Sequence, residues 1–507
     1  MNENLFEILK RSFGRDTGRE FLRRPDGSSL RYADLIAVSG QIAAVLRDLG
    51  VQPGDRVAAQ VEKSPEALLL YLGALRAGGV FLPLNTAYTA AEVRYFLGDA
   101  EPTVFVCRPE TEVAMRALAA EIGVPSVETL SEHGDGTLMV RVAAAAGREV
   151  DVPRGLDDLA AILYTSGTTG RSKGAMLSHG NLASNAAALT ELWRFTAADR
   201  LLHVLPIFHT HGLFVATNIV LTAGASMLFL PRFDVDEMLR LLPEATAMMG
   251  VPTHYVRLLG RSELTRDLVR HVRLFVSGSA PLSAESFKEF ERRTGHRLLE
   301  RYGMTETNMN TSNPYDGERL PGSVGLPLPG VEIRIADRAD GHVLPQGEVG
   351  VIEIRGPNVF KGYWRMPEKT RAEFRDDGFF VSGDLGFVDP RGYVHIVGRD
   401  KDLIISGGYN VYPKEVEAAL QALPGVADAA VIGAPHPDLG EGVIAVVVPR
   451  PGAALDEAET RRALAVDLAG YKVPKRIVVA DALPLNAMGK VQKTELRARH
   501  ADIFAAG

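Results

Sequence analysis

One cysteine in 507 residues sets the first limit on this chain. Cys107 cannot form an intramolecular disulfide framework or anchor a cysteine-rich metal site. It lies in the apolar run Thr103 to Cys107, where a free thiol behaves as a small core residue. A reducing cytoplasm is the expected compartment. Long apolar runs are missing too, none approaching the ~20 residues of a membrane span. Met1 to Lys10 carries Glu3 and Glu7 and lacks the apolar core of a secretory signal. Asp16 and Glu20 interrupt the arginines that a transit peptide would need. There is no basic tract, and the net charge is -7, so neither nucleic acid nor a membrane is an expected partner. Anionic small molecules must then be held by local charges and backbone donors. No internal repeat or low-complexity tract appears.

What is present is a long chain of ordinary globular composition, with more residues than one core holds. Residues 1 to about 155 alternate helix-like and strand-like segments. Arg56 to Val61 reads as a strand, Pro65 opens a helix that Ala67 to Leu75 continues, Gly78-Gly79 ends it, and Val80 to Leu84 is a second strand. Ala117 to Arg154 is the least patterned part. The rhythm then continues through apolar runs that each end in a small, polar or aromatic turn. Leu201 to Leu205 leads to His209, Thr210 and His211, and Met227 to Leu230 leads to Arg232. Ala247 to Gly250 leads to Pro252. Leu274 to Ser277 leads to Gly278-Ser279-Ala280-Pro281, and Leu298 to Glu300 leads to Arg301-Tyr302-Gly303-Met304-Thr305-Glu306. In open α/β sheets ligands bind beyond the carboxyl ends of the strands, so these turns are expected to line one crevice. From about residue 330 short strands and turns imply a smaller β subdomain. The expectation is an α/β fold: a large domain over 1–400 with parallel and mixed sheets layered with helices, and a small, mobile α+β domain over 401–507.

The densest chemistry is Tyr164-Thr165-Ser166-Gly167-Thr168-Thr169-Gly170-Arg171-Ser172-Lys173-Gly174, which follows the apolar run Leu159 to Leu163. Glycines let a backbone approach a ligand closely, and successive N–H groups in such a turn form an anion-binding concavity. Four hydroxyls and Lys173 add donors and charge, which is chemistry for holding phosphates. It is not the Walker A loop, because Ser172 stands where that pattern requires glycine. A plain surface turn would also be rich in Gly, Ser and Thr.

The stretch resembles the phosphate-binding signature of the adenylate-forming enzymes, the acyl-CoA synthetases, peptide-synthetase adenylation domains and luciferases. Four further motifs stand in that family's order and cover essentially the whole chain. Glu300 to Glu306 resembles its second signature, which implies that Tyr302 stacks on adenine, Thr305 contacts the α-phosphate and Glu306 holds Mg²⁺, with Thr168 of the glycine loop as a second metal contact. Ser277-Gly278-Ser279-Ala280-Pro281 resembles the wall of the adenine pocket. Ser382-Gly383-Asp384 resembles the ribose-binding turn, with Arg399 joining it. Pro484 to Lys490 resembles the last motif, whose lysine meets the attacking carboxylate and the α-phosphate. Alone, each has a bland reading: a turn aspartate, a solvated glutamate or a loop lysine.

The resemblance implies ATP, Mg²⁺ and coenzyme A as ligands and two half-reactions. A substrate carboxylate attacks the α-phosphorus and pyrophosphate leaves. The small domain then turns about Lys401, and the Gly407-Gly408 face replaces Lys490. A thiol next attacks the acyl-adenylate past His209. The runs Leu205 to Phe214, Glu300 to Pro314 and Asn358 to Lys369 are similar to malonyl-CoA synthetases, possible methylmalonate acceptors included. A malonate pocket needs a cation for the second carboxylate, and an arginine fork suits it. Arg232 is the first candidate, with Ser277 and Thr210 completing the cage. Arg273 and Arg301 rank behind it, because each adjoins an apolar or aromatic residue expected to face the pocket. A zinc site at His203, His209 and His211 competes but lacks a third ligand at a known spacing. A synthetase for another short acid, a domain that loads a carrier protein and a non-catalytic relative also stay open, as does the oligomeric state.

Overall fold

A computed structural model describes residues 2–165, 172–486 and 489–505. Two sheets form the centre of the large part. The first has six strands in the order Ser126–Thr129, Val104–Cys107, Arg56–Gln60, Val80–Pro83, Leu159–Thr165, Lys173–Ser178. Its first five strands are parallel. The last turns back antiparallel, with Thr165 opposite Lys173. The second sheet has nine strands, with Leu299–Met304, Leu274–Ser277, Ala247–Gly250, Arg200–His203 and Ser226–Phe229 parallel at its heart.

The strands read from sequence recur with shifts of a few residues. The helix Pro65–Arg76 begins on Ser64, whose side chain accepts from Ala67 N–H, and its proline occupies the first turn, where no N–H partner is needed. Apolar on nearly every face, it is buried throughout. A Cβ at Gly73 would come within 2.5 Å of Ile42 Cγ2, so glycine is what lets this helix lie against Tyr32–Asp48. Arg76, its last residue, is fully buried. Its guanidinium bonds both oxygens of Asp151 (2.6 and 3.0 Å), Glu149 (3.0 Å) and Ser39 (2.8 Å). Those bonds offset the cost of burying the charge. The segment 117–154, unpatterned in sequence, contains the end of helix Glu112–Ile122, the strand Ser126–Thr129 and the helix Thr137–Ala144. Alanines blur its apolar period, and the strand is a sheet edge.

A four-stranded antiparallel sheet follows, Glu332–Ala336, Gly350–Arg355, Phe380–Val388 and Val394–Arg399. The chain then passes through the 3-10 turn Asp400–Asp402 into a last sheet with its own core, built on the long hairpin Val426–His436 and Gly440–Pro449. The fold is thus mixed α/β, with a large N-terminal part and a small α+β C-terminal one. Among the described residues no helix is long and apolar enough to cross a membrane.

Candidate active site

The parallel strands of the nine-stranded sheet run side by side and bring their carboxyl ends, where α/β sheets bind ligands, to one edge. At the end of Leu299–Met304, Tyr302 is buried and donates its hydroxyl proton to Asp384 Oδ2 at 2.5 Å. Asp384 stands opposite Arg399 in the neighbouring ladder and accepts its Nε–H at 2.7 Å. The aspartate's own N–H bonds Ser382 Oγ. The aromatic, the aspartate and the arginine, drawn from two sheets, therefore meet as one cluster.

Glu306 is 6% exposed, and burial raises its pKa. The hydroxyl of Tyr363 lies 3.1 Å from its Oε1. Thr305 precedes it in the turn, half-buried. Lys173, buried at the start of its strand, pairs with Glu373 at 3.1 Å and lies 4.2 Å from the centre of the Tyr363 ring. Thr165 ends the facing strand. Ser166, Gly167, Thr168, Thr169 and Gly170, including the expected metal contact at Thr168, lie outside the described residues.

The C-terminal part reaches the same edge. Gly489 takes φ +72°, and a Cβ there would sit 3.3 Å from Thr253, at the start of the helix Pro252–Leu259. Lys490 N–H bonds Asn486 Oδ1, holding the loop closed. Lys490 itself has its pKa lowered to about 8, first by desolvation and then by Arg399 and Arg301, with Asp384 and Glu306 opposing. Its side chain remains open to water, which screens these charges. His209 is half-buried beside it. Desolvation lowers its pKa to about 3, aided by the charges of Lys490 and Arg301, so the ring is neutral.

The structure separates the three arginines considered for the substrate's second carboxylate. Arg232 is exposed, so it cannot be the buried fork; its strand ends before it and solvent covers the turn. Arg273 is spent on a structural clamp, with Nε and Nη2 on the two oxygens of Asp199 at 2.8 and 2.9 Å and Nη1 on Trp193 O. Arg301 is the buried one, 3% exposed. No ion pair holds it, and its Nε and Nη2 have no hydrogen-bond partner among the described residues. Desolvation lowers its pKa to about 9. Gly278 makes room for it, since a Cβ there would lie 2.5 Å from the guanidinium carbon. Thr210 Oγ1, Ser277 Oγ and His211 Nε2 are likewise buried without partners. His211 Nδ1 lies 3.2 Å from Ser279 Oγ, and Ser279 takes the strained φ +72°. Sequence reasoning ranked Arg301 behind Arg232 because Tyr302 follows it. Successive strand residues face opposite sides, and both sides of this strand are covered.

Other expected residues serve differently. His203 is no member of a histidine metal trio: its Nδ1 lies 3.0 Å from the buried Lys63 Nζ and its Nε2 3.0 Å from Gly212 O. Glu300 accepts from Gly322 N–H, and burial raises its pKa to about 7 against the pull of Lys414. Ala280 is half-buried and Pro281 exposed. Gly407 and Gly408, at φ +58° and +82°, make the two-residue turn between Ile404–Ser406 and Tyr409–Val411. Lys401 sits in the 3-10 turn, flanked by Asp402, which Arg497 holds at 2.7 Å. The reading of the sequence missed Tyr363 and Glu373. The run around Lys361-Gly362-Tyr363-Trp364 was the only signal for the tyrosine.

Comparison with known proteins agrees with this geometry. The AMP-binding enzyme family model matches residues 9–364, and the AMP-binding enzyme C-terminal domain model matches 415–490. A malonate–CoA ligase of Arabidopsis thaliana is 35% identical over 97% of this chain and 89% of its own. A feruloyl-CoA synthase of an Amycolatopsis species is 38% identical over 94% of this chain and 95% of its own. The crystal structure of ATP-bound MatB from Rhodopseudomonas palustris superposes with a TM-score of 0.97 at 57% identity, covering 99% of this chain and all of that one. With one family model spanning well over half its length and a second covering the C-terminal part, the chain belongs to the AMP-binding enzyme family.

Proposed function

We propose that this AMP-forming acid–CoA ligase acts on malonate, joining it to coenzyme A through a malonyl-adenylate. The observation that carries the choice of acid is Arg301: a buried guanidinium whose Nε and Nη2 have no partner among the described residues and whose charge, with that of Lys490, acts on His209. A buried charge without a counter-ion costs several kcal/mol. A second carboxylate on the substrate would remove that cost, and malonate brings one on a short, single-methylene spacer. The relative named for malonate supports this reading; the one named for ferulate supports only the general activity.

In this reading Tyr302, Asp384 and Arg399 receive the nucleoside, Lys173 receives the phosphates, and Arg301 with Thr210 and Ser277 holds the distal carboxylate. Lys490 draws the reacting carboxylate onto the α-phosphorus against charge repulsion. The P–O bond to pyrophosphate breaks as the new P–O bond forms, and Lys490 offsets the developing charge. The neutral His209 leaves the acyl face free of a competing cation as the thiol enters. That thiol then forms the C–S bond and AMP departs. Glu306, a buried carboxylate with only the Tyr363 hydroxyl near it at 3.1 Å among the described side chains, suits Mg²⁺, which favours few protein ligands and phosphate oxygens. Bound there, the ion would neutralise phosphate charge. The hinge at Lys401, the division of domains at 400/401 and a cytoplasmic location belong to the same proposal.

The test is ATP- and CoA-dependent AMP release over malonate, methylmalonate, acetate, butyrate and ferulate. Malonate should lead, with methylmalonate a poorer but real substrate, because a methyl group costs only about 10–200-fold. A preference for acetate, a fatty acid or ferulate would overturn the choice of malonate and leave the acid–CoA ligase.

A further inference from the structure

Outside the motifs, one charged group stands against the phosphate-facing residues. Glu373 caps the C-terminal end of helix Pro367–Ala372. Its Oε1 takes Lys173 Nζ at 3.1 Å and Lys369 Nζ at 2.7 Å. Its Oε2 accepts the Tyr363 hydroxyl proton at 2.6 Å, and that same hydroxyl lies 3.1 Å from Glu306. The side chains of Lys173 and Glu373 are only 8% and 19% exposed.

A buried lysine in a ligand-free site needs an anion, or it stands as an uncompensated charge. Glu373 supplies it. Once phosphates reach Lys173, that carboxylate becomes a like-charged neighbour of the ligand. Lys369, one turn earlier on the same helix, gives Glu373 a partner to keep when Lys173 leaves it. Tyr363 gives it a second.

We propose that Glu373 is a resident counter-ion that the β- and γ-phosphates displace from Lys173, and that it weakens pyrophosphate binding so that this product leaves. The proposal rests on the reading of Lys173 as a phosphate contact. Glu373 is a positioning residue here: it acts through Lys173. Its effect on affinity has a definite sign. A neutral residue of the same shape frees Lys173 from a competing anion, so phosphate ligands bind more tightly. Loss of a merely structural ion pair would do the opposite.

The experiment is titration calorimetry with pyrophosphate at fixed magnesium, using the full chain and the variants Glu373→Gln, Glu373→Asp and Lys173→Met. Glu373→Gln should tighten pyrophosphate about 3- to 10-fold, since the fraction of Lys173 free to bind rises, and should steepen product inhibition by the same factor. Equal or weaker binding at an unchanged melting temperature overturns the proposal. If the glutamine variant fails to fold, Glu373→Asp, whose carboxylate is drawn back from Lys173, should still bind more tightly than the parent; equal or weaker binding again overturns it. Lys173→Met should lose most of the affinity. Full pyrophosphate binding in that variant would instead remove the phosphate-contact reading beneath the proposal.

Discussion

Arg301 shows how much hangs on one side chain. Its guanidinium is enclosed, with Nε and Nη2 unpartnered, and lies over Gly278. Truncating one partner of a buried charge pair costs about 2–5 kcal/mol. Arg301→Ala should therefore lower kcat/KM for malonate by about 10²-fold or more, chiefly through KM, and narrow the gap to monocarboxylic acids. Arg232→Ala, at an exposed position, should stay within about twofold, as surface substitutions usually do. Steady-state kinetics on both variants with malonate and butyrate checks this. The reverse pattern would restore Arg232 as the anchor. Lys490 supplies a pH prediction. The group must be charged to attract the carboxylate, and its pKa in the free protein is lowered to about 8. Raising the pH through that value removes the proton, so kcat/KM for adenylate formation should fall on the alkaline side with an apparent pKa near 8, which reports the free enzyme. Thioester formation from preformed malonyl-adenylate should lack that limb. Lys490→Ala should cost adenylation about 10²–10³-fold, sparing the second half-reaction. Equal loss in both halves would give Lys490 a structural role.

At the scale of elements, the ends of the parallel strands were legible because each apolar run stops at a turn-forming residue. Pro65, the run Ala67 to Leu75 and Gly78-Gly79 marked a helix that the structure places at Pro65–Arg76. The element after His209 was not legible. His211–Thr217 is a π-helix, whose wider turn has no signature in a 3.6-residue period. Tertiary contacts hold it open. Gly212 O accepts from His203 Nε2 and Thr217 Oγ1, each at 3.0 Å, and a Cβ on Gly212 would fall 2.0 Å from Pro206 O. Behind it the buried Lys63 fixes the His203 ring. This turn sets where Thr210 and His211 stand beside Arg301, so its departure from a regular helix bears directly on the pocket.

At the scale of the molecule, the proposed reaction asks one small C-terminal part to serve two half-reactions. In this arrangement its loop lies against the N-terminal part. Gly489 contacts Thr253, Lys490 lies among the charges of the site, Lys414 Nζ bonds Ile396 O at 2.7 Å, and Arg450 bonds both oxygens of Glu285 at 2.8 Å. Leu403 and Tyr412 also pack on Val351 and Leu385 near the crossing point, and an exposed pair such as Arg450 with Glu285 contributes about 0–1 kcal/mol. The chain crosses between the two parts through Asp400–Asp402. Lys401→Pro fixes one backbone angle there and should leave adenylation near the parent rate while slowing thioester formation by an order of magnitude or more. Pre-steady-state measurement of each half-reaction decides it. Thioester formation as fast as adenylation would remove Lys401 from the hinge.

The sequence by itself determined the class of fold, the order of the motifs and the residue types suited to phosphate, nucleoside and carboxylate. Those are local matters: glycine at positive φ, hydroxyls in a turn, an apolar run that must be a buried strand. Which arginine is buried without a partner was decided only by the tertiary structure. Arg232, Arg273 and Arg301 each follow or begin an apolar strand, and local pattern does not rank them. One is exposed, one is consumed by Asp199, and one is buried without a partner. The pairing of Lys173 with Glu373, 200 residues apart, is equally invisible along the chain. Burial and long-range charge are properties of what surrounds a side chain, and only the packed structure brings those surroundings together.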